Sequence, residues 1–400
     1  MVKIHMDVDI CIIGAGVAGL SAAKLLYEKG YSIYVAEAQE KVGGRIQTDW
    51  INGYLCDHGF QVILPSYPSA KRLLDYRSLN LGAYPRGAVI FSDQIEWFGP
   101  PLMYPRRWQF GKRLSPSFRD WICFIFEALD SPYPKQIDEQ KTTYDYISER
   151  YSPTLVKKFL LPFFQGVFID PNCLVSAQLF RYYWRLFALG GAAIPSQGMA
   201  EIPKQLASSI PNDLIKCSHP VTHLEGQRIF FENGKSLNAN RIVLACNQRS
   251  LSRFIKEVGP PEKSRSVSTY FFSTSNLGSL GPLNFILNSE IPIQVVIPTL
   301  IHANYSQNGD HLCMVSCIGG HIFDPEGIIQ NLKSQPHLGD QVQNWSYVHY
   351  HHVDDALPFP YDFSQQVSPH YFCGDWLSFG SIESAMRSGI EVANKIISES

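Results

Sequence analysis

The sequence lacks a basic tract, a paired-cysteine pattern and any long apolar run, and each absence removes a class of protein. Lysine and arginine number 34 against 36 aspartate and glutamate, a formal net charge of −2, so no stripe of the kind nucleic acid requires is present. The nine cysteines (Cys11, Cys56, Cys123, Cys173, Cys217, Cys246, Cys313, Cys317 and Cys373) are odd in number, scattered and mostly within apolar runs. They read as reduced thiols of a cytoplasmic protein. Cys313 and Cys317 are spaced for neither a zinc knuckle nor a redox pair, and strand alternation places both on one core face. No stretch reaches the ~18–20 apolar residues of a membrane span. "WICFIFEAL" (Trp121 to Leu129) comes nearest, and Glu127 interrupts it. The first apolar run, Val8 to Ile13, follows acidic residues and enters a glycine loop, so it reads as a strand rather than the apolar part of a secretory signal. A metal constellation is also missing. "HYHHVDD" (His349 to Asp355) looks like one, but neighbouring histidines on a strand face opposite sides.

A chain of 400 residues is long enough for two or three domains of ~150 residues each. "VDICIIGAGVAGLSAAKLLYEKG" contains a strand, a Gly-x-Gly-x-x-Gly turn and a helix from about Val17 to Lys29. Gly14 permits the tight turn, Gly16 lets backbone approach a pyrophosphate, and Gly19 lets helix and strand pack closely. Ala15, Val17 and Ala18 complete the turn, and the anion would sit on the helix N-terminus. The next strand, "YSIYVAEA", ends in Glu37-Ala38, at the distance where an acid takes a ribose 2′-hydroxyl. Its charge opposes a 2′-phosphate, which disfavours NADP and leaves NAD and FAD.

The following glycine pair bears on that choice. "EAQEKVGGRIQT" resembles the Glu-Ala-x(4)-Gly-Gly-Arg-x-x-Ser/Thr segment of the flavin-containing amine oxidase superfamily, which includes protoporphyrinogen oxidase and the phytoene desaturases. The resemblance implies that Gly43 and Gly44 pass close to FAD phosphates and ribityl chain, with Arg45 as a charged contact. Asp57-x-Gly59 resembles the segment that carries the chain past the flavin ring, making Gly59, Phe60 and Gln61 candidates to line the isoalloxazine. His58 reads as a histidine beside a turn, more often structural than an acid or base. By the same resemblance Val221 touches the adenine and Cys246 ends a strand of the cofactor domain. The closing "GDWLSFGSIESAMRSG" implies that Asp375, after Gly374, binds the ribityl or pyrophosphate portion. There the helix beginning at Ser381, Ile382 and Ala385 points its N-terminus at flavin N1 and O2. A helix N-terminus stabilises the charge that collects there by ~0.3–2 kcal/mol.

The aromatic-rich stretch from Tyr84 to Pro195 has helical patterns, "FRDWICFIFEALD", "TLVKKFLLPFFQGVF" and "SAQLFRYYWRLFALG". It reads as a helical insertion: an ordinary aromatic core, an apolar substrate tunnel, or a surface that rests on a membrane with Lys157, Lys158, Arg181 and Arg185 toward headgroups. "GMAEIPKQLASSI" reads as a helix. Hairpin turns are expected at Glu225-Gly226 and Asn233-Gly234, and alternating strands from about Lys263 to Cys317. With these elements the resemblance implies an α/β with α+β fold: a discontinuous Rossmann-type FAD-binding domain (1–83, 198–262 and 368–400) and a substrate domain of helical insertion plus mixed sheet (84–197 and 263–367). "FFQGVFIDP" and "DHGFQV" resemble bacterial and plant FAD-dependent oxidoreductases termed amine oxidase-like or protoporphyrinogen oxidase-like.

Two departures from the family matter. No lysine lies between Lys263 and Lys333, where amine oxidases of this fold place one beside N5. "DWLSFGSIE" lacks the cysteine to which monoamine oxidases attach FAD, so FAD is expected to be noncovalent. The implied reaction is hydride transfer from a C–H or C–N–H bond to flavin N5. Substrates in falling order are a polyene or other isoprenoid, a porphyrinogen and an amine, with dioxygen, a quinone or another acceptor restoring the flavin. A redox-neutral isomerase and a flavin-free protein resembling the GDP-dissociation inhibitors are the alternatives. The expected location is cytoplasmic, with peripheral membrane contact as the open variant. No catalytic acid or base is assigned.

Overall fold

A computed structural model describes residues 7–99, 112–129, 141–255, 261, 265–289, 291–319, 322–359 and 369–399. Three separate stretches of chain meet in one parallel sheet. The strand Val8–Ile13 lies between Ile33–Ala36 and Ser236–Leu244, with Ile215–Lys216 beyond the former and Tyr371–Phe372 beside the latter, all parallel. Ile10 to Ile13 are buried in a continuous apolar run, as expected of a parallel strand covered on both faces. An antiparallel hairpin, Val221–Glu225 and Arg228–Phe231, extends from the start of Ser236–Leu244. Its turns fall at Gly226 and Gly234, both with positive φ, as the sequence predicts.

Two helices cross on this sheet at close range. Val17–Glu28 packs on the closing helix Ile382–Ser398, where Gly389 is obligatory: a Cβ there would lie 2.3 Å from the Ala18 carbonyl oxygen. Ile382–Ser398 also buries Glu383, whose carboxylate accepts the Ser69 N–H (3.0 Å) and Oγ–H (2.7 Å) at the start of helix Pro68–Leu73. Burial pushes the Glu383 carboxyl above its ordinary range.

The second sheet is mixed and eight-stranded. Its order runs Ser346–Leu357, Arg265–Thr274, His311–Ile318, Ile293–Val296, Leu283–Ile286, Ala88–Phe91, Ile95–Phe98 and Lys112–Arg113. Cys313 and Cys317 share one buried face of it. The stretch from 84 to 197 is therefore not wholly helical. "AVIF" and "IEWF" are each too short for a helix and pair across Ser92-Asp93-Gln94, one strand in from the sheet's edge.

The helical part of that stretch comprises Phe118–Leu129, Thr143–Arg150, Pro153–Leu155 running through a π turn (Val156–Leu160) into Leu161–Phe168, and Ala177–Gly190. The π turn sits where Pro162 has no N–H to offer the carbonyl four residues back. Phe118–Leu129 is inverted relative to an ordinary surface helix. Its buried side chains include Asp120 and Glu127, whereas Phe118 (81% exposed), Ile125 (56%), Phe126 (61%) and Leu129 (71%) face outward. Asp120 accepts from Ser117 N–H and from Ser152 N–H and Oγ–H, each at 2.8 Å. Glu127 accepts from Arg181 Nε (2.7 Å) and the Tyr146 hydroxyl. This corrects part of the headgroup expectation: Arg181 is held by Glu127 and Lys158 by buried Glu96. Glu127 interrupts the apolar run because it points inward.

Candidate functional site

The glycine loop shows why each glycine is required. Gly14 has φ +109°, and a Cβ there would meet the Ala245 carbonyl oxygen at 2.8 Å. A Cβ on Gly19 would lie 2.0 Å from the Gly14 carbonyl oxygen, so the helix can sit on the loop only with glycine there. Gly16 differs: no atom lies within 4 Å of its missing Cβ. It precedes Val17–Glu28 and gives that helix no side-chain cap, leaving the first N–H groups to a ligand. Gly43 and Gly44, both at positive φ, fold against this loop. Gly43 N–H donates to Ala15 O at 2.8 Å, and a Cβ on Gly44 would approach Gly16 Cα at 3.4 Å.

Glu37 closes the loop from the second strand. Its Oε2 accepts the Ala15 N–H at 2.7 Å and its Oε1 the Gln39 N–H at 2.9 Å, leaving further lone pairs on both oxygens. Arg45 and Asp375, distant in sequence, form an ion pair, and Arg45 also donates to Ala356 O at 2.9 Å. Asp375 is positioned by its neighbours: Gly374 N–H donates to Ser388 Oγ (2.9 Å) and Trp376 Nε1–H to Cys246 O (3.0 Å). Ser381 caps Ile382–Ser398 by accepting the Ser384 N–H at 3.0 Å.

The turn after strand Tyr54–Asp57 is held by a buried carboxylate. Asp57 accepts from Thr48 Oγ1–H, Met199 N–H (2.9 Å) and Tyr305 O–H (2.9 Å), and burial raises its pKa above the ordinary aspartate range. Gly59 then passes strand Arg265–Thr274, with Val267 and Thr269 side-chain atoms 3.8 and 3.9 Å from where its Cβ would be. Gln61 donates from Nε2 to Arg45 O at 3.0 Å, which fixes its amide orientation. Its Oε1 is buried without a partner.

One cavity of about 830 Å³, toward the upper end of the ~300–1,000 Å³ usual for ligand sites, brings these residues together. Gly14, Gly16, Val17, Ala18, Glu37, Ala38, Gly43, Gly44, Arg45, Gly59, Phe60, Gln61, Val221, Cys246, Gly374, Asp375, Ser381, Ile382 and Ala385 all line it. Ala15 and Gly19 do not. Ala15 is fully buried, with its N–H spent on Glu37, and Gly19 packs the helix. From Phe60 onward the wall is aromatic, with Tyr84, Phe98, Phe124, Phe159, Phe163, Trp184 and Phe187.

Sequence reasoning missed most of that wall, because aromatic residues on helices read as ordinary core. It also missed Gln294, which lines the cavity and donates to Pro162 O at 2.7 Å; a polar residue inside "PIQVVIP" was the available signal. Gly166 leaves room for it, since a Cβ there would lie 2.1 Å from Gln294 Nε2.

The flavin-containing amine oxidoreductase family model matches residues 17–281. The chain belongs to that family. Among relatives it is 25% identical to an L-amino acid dehydrogenase from Synechocystis over 239 residues, 54% of this chain and 50% of that one. It is 36% identical to protoporphyrinogen oxidase 2 from Arabidopsis thaliana over 195 residues, 46% of this chain and 37% of that one. The matches thus span half or less of these relatives. Among solved structures, a putrescine oxidase redesigned in its cofactor binding superposes with a TM-score of 0.72 at 16% identity, covering 99% of this chain and 100% of that one. Cyclohexylamine oxidase from Brevibacterium oxydans gives 0.69 at 18%, covering 98% and 99%. These likenesses show a shared mixed α/β fold.

The family's cofactor is FAD, and this chain's residues fit it. Open space stands where Gly16 lacks a side chain, at an uncapped helix N-terminus suited to a pyrophosphate. Gln61 carries a buried acceptor without a donor. Among the described residues no group of three or more histidine, cysteine or acidic side chains suits a metal ion.

Proposed function

We propose that this chain is an FAD-dependent oxidoreductase that takes a hydride from a C–H or C–N–H bond of an apolar or partly apolar small molecule. The supporting observation is the distribution of charge in the cavity. Glu37 and Asp375 are the only carboxylates among its described lining residues, and both belong to the glycine-loop end. The aromatic end offers no anion to hold an ammonium group, which ranks polyenes and other isoprenoids first, porphyrinogens second and amines third.

In this reading Glu37 takes the ribose hydroxyls, the Val17–Glu28 N-terminus and Arg45 the phosphates, and Gly59 to Gln61 the ring. Bound FAD supplies the two-electron acceptor; the protein orients the substrate carbon and excludes water. FAD is held noncovalently in this reading, since Asp375 to Glu383, leading into the closing helix, holds no cysteine and Cys373 is fully buried. Anaerobic mixing with a panel of polyenes, porphyrinogens and amines tests the proposal. Bleaching of the flavin by a polyene is expected. Bleaching by amines alone would overturn the ranking, and substrate turnover by pre-reduced flavin without an acceptor would replace oxidation by isomerisation.

The same reading includes a lipid contact. Trp121, Phe124, Ile125 and Ala128 line the cavity from Phe118–Leu129, whose outer face is apolar, so the cavity opens beside that face. An apolar substrate dissolved in lipid would enter there. No helix of the described residues is long and apolar enough to cross a membrane, so the contact is peripheral. Ile125→Glu with Phe126→Glu should abolish co-flotation with phospholipid vesicles while FAD content is unchanged. Wild-type protein that does not float would contradict the contact.

A further inference from the structure

His58 is not isolated. Its Nε2 bonds Asp49 Oδ2 at 2.7 Å, and Asp49 is in turn bonded by Lys41 Nζ at 3.0 Å. Its ring packs against that of His351, tilted by 35° with centroids 4.0 Å apart, and His349 follows 6.5 Å beyond His351. The two strand histidines sit two residues apart, so they share a face of Ser346–Leu357. In register, His351 pairs with Thr269 and His349 with Phe271, and Thr269 is the residue apposed to Gly59. His352, on the other face, is occupied by Ser268 (2.9 Å) and Asp354 (3.1 Å). His58 lines the cavity, and with Nε2 committed to Asp49 its Nδ1 is the ring atom free to exchange a proton.

We propose that His58 is the site's redox-linked proton acceptor, with Asp49 as its positioning residue and His351 packed against its ring. The inference rests on the FAD reading. When a substrate loses hydride from one atom and a proton from the next, the electron pair of the second bond forms the new double bond. Bound FAD would supply the hydride acceptor, and His58 Nδ1 would take the proton. The imidazolium so formed, held by Asp49, would offset the negative charge that hydride brings to the site.

The groups around His58 define which member takes the proton. Asp49, bonded by His58 and by Lys41, is held below the ordinary aspartate range and stays a carboxylate. His349 is lowered by burial and then by the charge His58 carries once protonated, and His351 is lowered to about 4, first by burial, so both strand imidazoles stay neutral near pH 7. Asp57 is buried on the preceding strand, and Arg45, on the cavity side, is paired with Asp375. His58 is thus the member of the cluster with a carboxylate partner in place.

The test is the flavin midpoint potential against pH, measured on FAD-loaded protein with dithionite as reductant and no substrate. Each proton taken up with two electrons adds about 30 mV per pH unit to the slope. Wild type is expected to show a pH window of about 60 mV per pH unit, in which a second proton accompanies the two electrons. His58→Gln should show one proton only, about 30 mV per pH unit, through that window. Asp49→Asn, which keeps the imidazole but removes its counter-charge, should move the window to lower pH. A slope identical in wild type and His58→Gln overturns the proposal. Failure of wild type to hold FAD would instead overturn the cofactor reading on which it rests. If His58→Gln does not fold, the Asp49→Asn shift decides, since a purely structural aspartate would leave the window in place.

Discussion

Glu37→Ala is expected to raise the dissociation constant for FAD by ~10–100-fold, at ~1.4 kcal/mol per tenfold. Two losses combine. The carboxylate is 7% exposed and accepts two backbone N–H groups, from Ala15 and Gln39. A buried donor left without its partner costs ~1–3 kcal/mol, part of which water entering the vacated space recovers. The other loss is the hydrogen bond proposed to the adenine ribose. Because Ala15 belongs to the glycine loop, losing Glu37 also loosens the backbone that presents Gly16. Titration calorimetry of FAD into deflavinated protein measures the change. Glu37→Gln should fall between, since one amide oxygen can still accept while its NH₂ opposes a backbone donor. Unchanged affinity in Glu37→Ala would remove the ribose assignment.

Valine at Gly16 and at Gly19 should fail in opposite ways. At Gly19 the new Cβ would lie 2.0 Å from the Gly14 carbonyl oxygen and 2.9 Å from Ala245 Cβ. Both neighbours directly follow sheet strands and are tied to them, Gly14 N–H to Ala36 O and Ala245 N–H to Ile13 O, so helix and loop must separate. Such overpacking costs ~1–3 kcal/mol or more, and Gly19→Val should lower the melting temperature of the protein even without FAD. At Gly16 the backbone has φ −71°, which any residue adopts, and nothing lies within 4 Å. Gly16→Val should therefore leave the melting temperature of the flavin-free protein unchanged while its methyl groups fill the approach to the helix N-terminus and abolish FAD binding. Calorimetric melting of both flavin-free variants, with FAD titration of each, separates the two roles. A Gly16→Val protein that binds FAD as wild type does would mean that the open space is not the ligand's.

The nucleotide end was legible because its constraints are local. Gly14, Gly19 and Glu37 each answer to a contact within one strand–turn–helix–strand unit, so their spacing carries the geometry. Gly43-Gly44-Arg45 and Gly374-Asp375 were legible for a different reason: the family pattern names them, although the Arg45–Asp375 pair joins residues distant in sequence. The aromatic end was not legible. Phe124 and Phe163 line a cavity while Phe164 and Phe168 fill a core, and helical periodicity cannot separate the two. The inverted helix Phe118–Leu129 defeats the usual rule outright, since Asp120 and Glu127 go inside only because Ser117, Ser152 and Arg181 meet them there. The neighbours of His58 were not legible either, because Asp49 and His351 come from two separate strands.

The most direct test of the central claim is the flavin content of the purified protein. Protein as isolated should be yellow, hold FAD at one per chain, and release all of it to the supernatant on denaturation by acid or heat. Colourless protein that takes up no added FAD would contradict the site described for Gly16, Glu37 and Asp375. Flavin that stays on the denatured chain would contradict its noncovalent attachment.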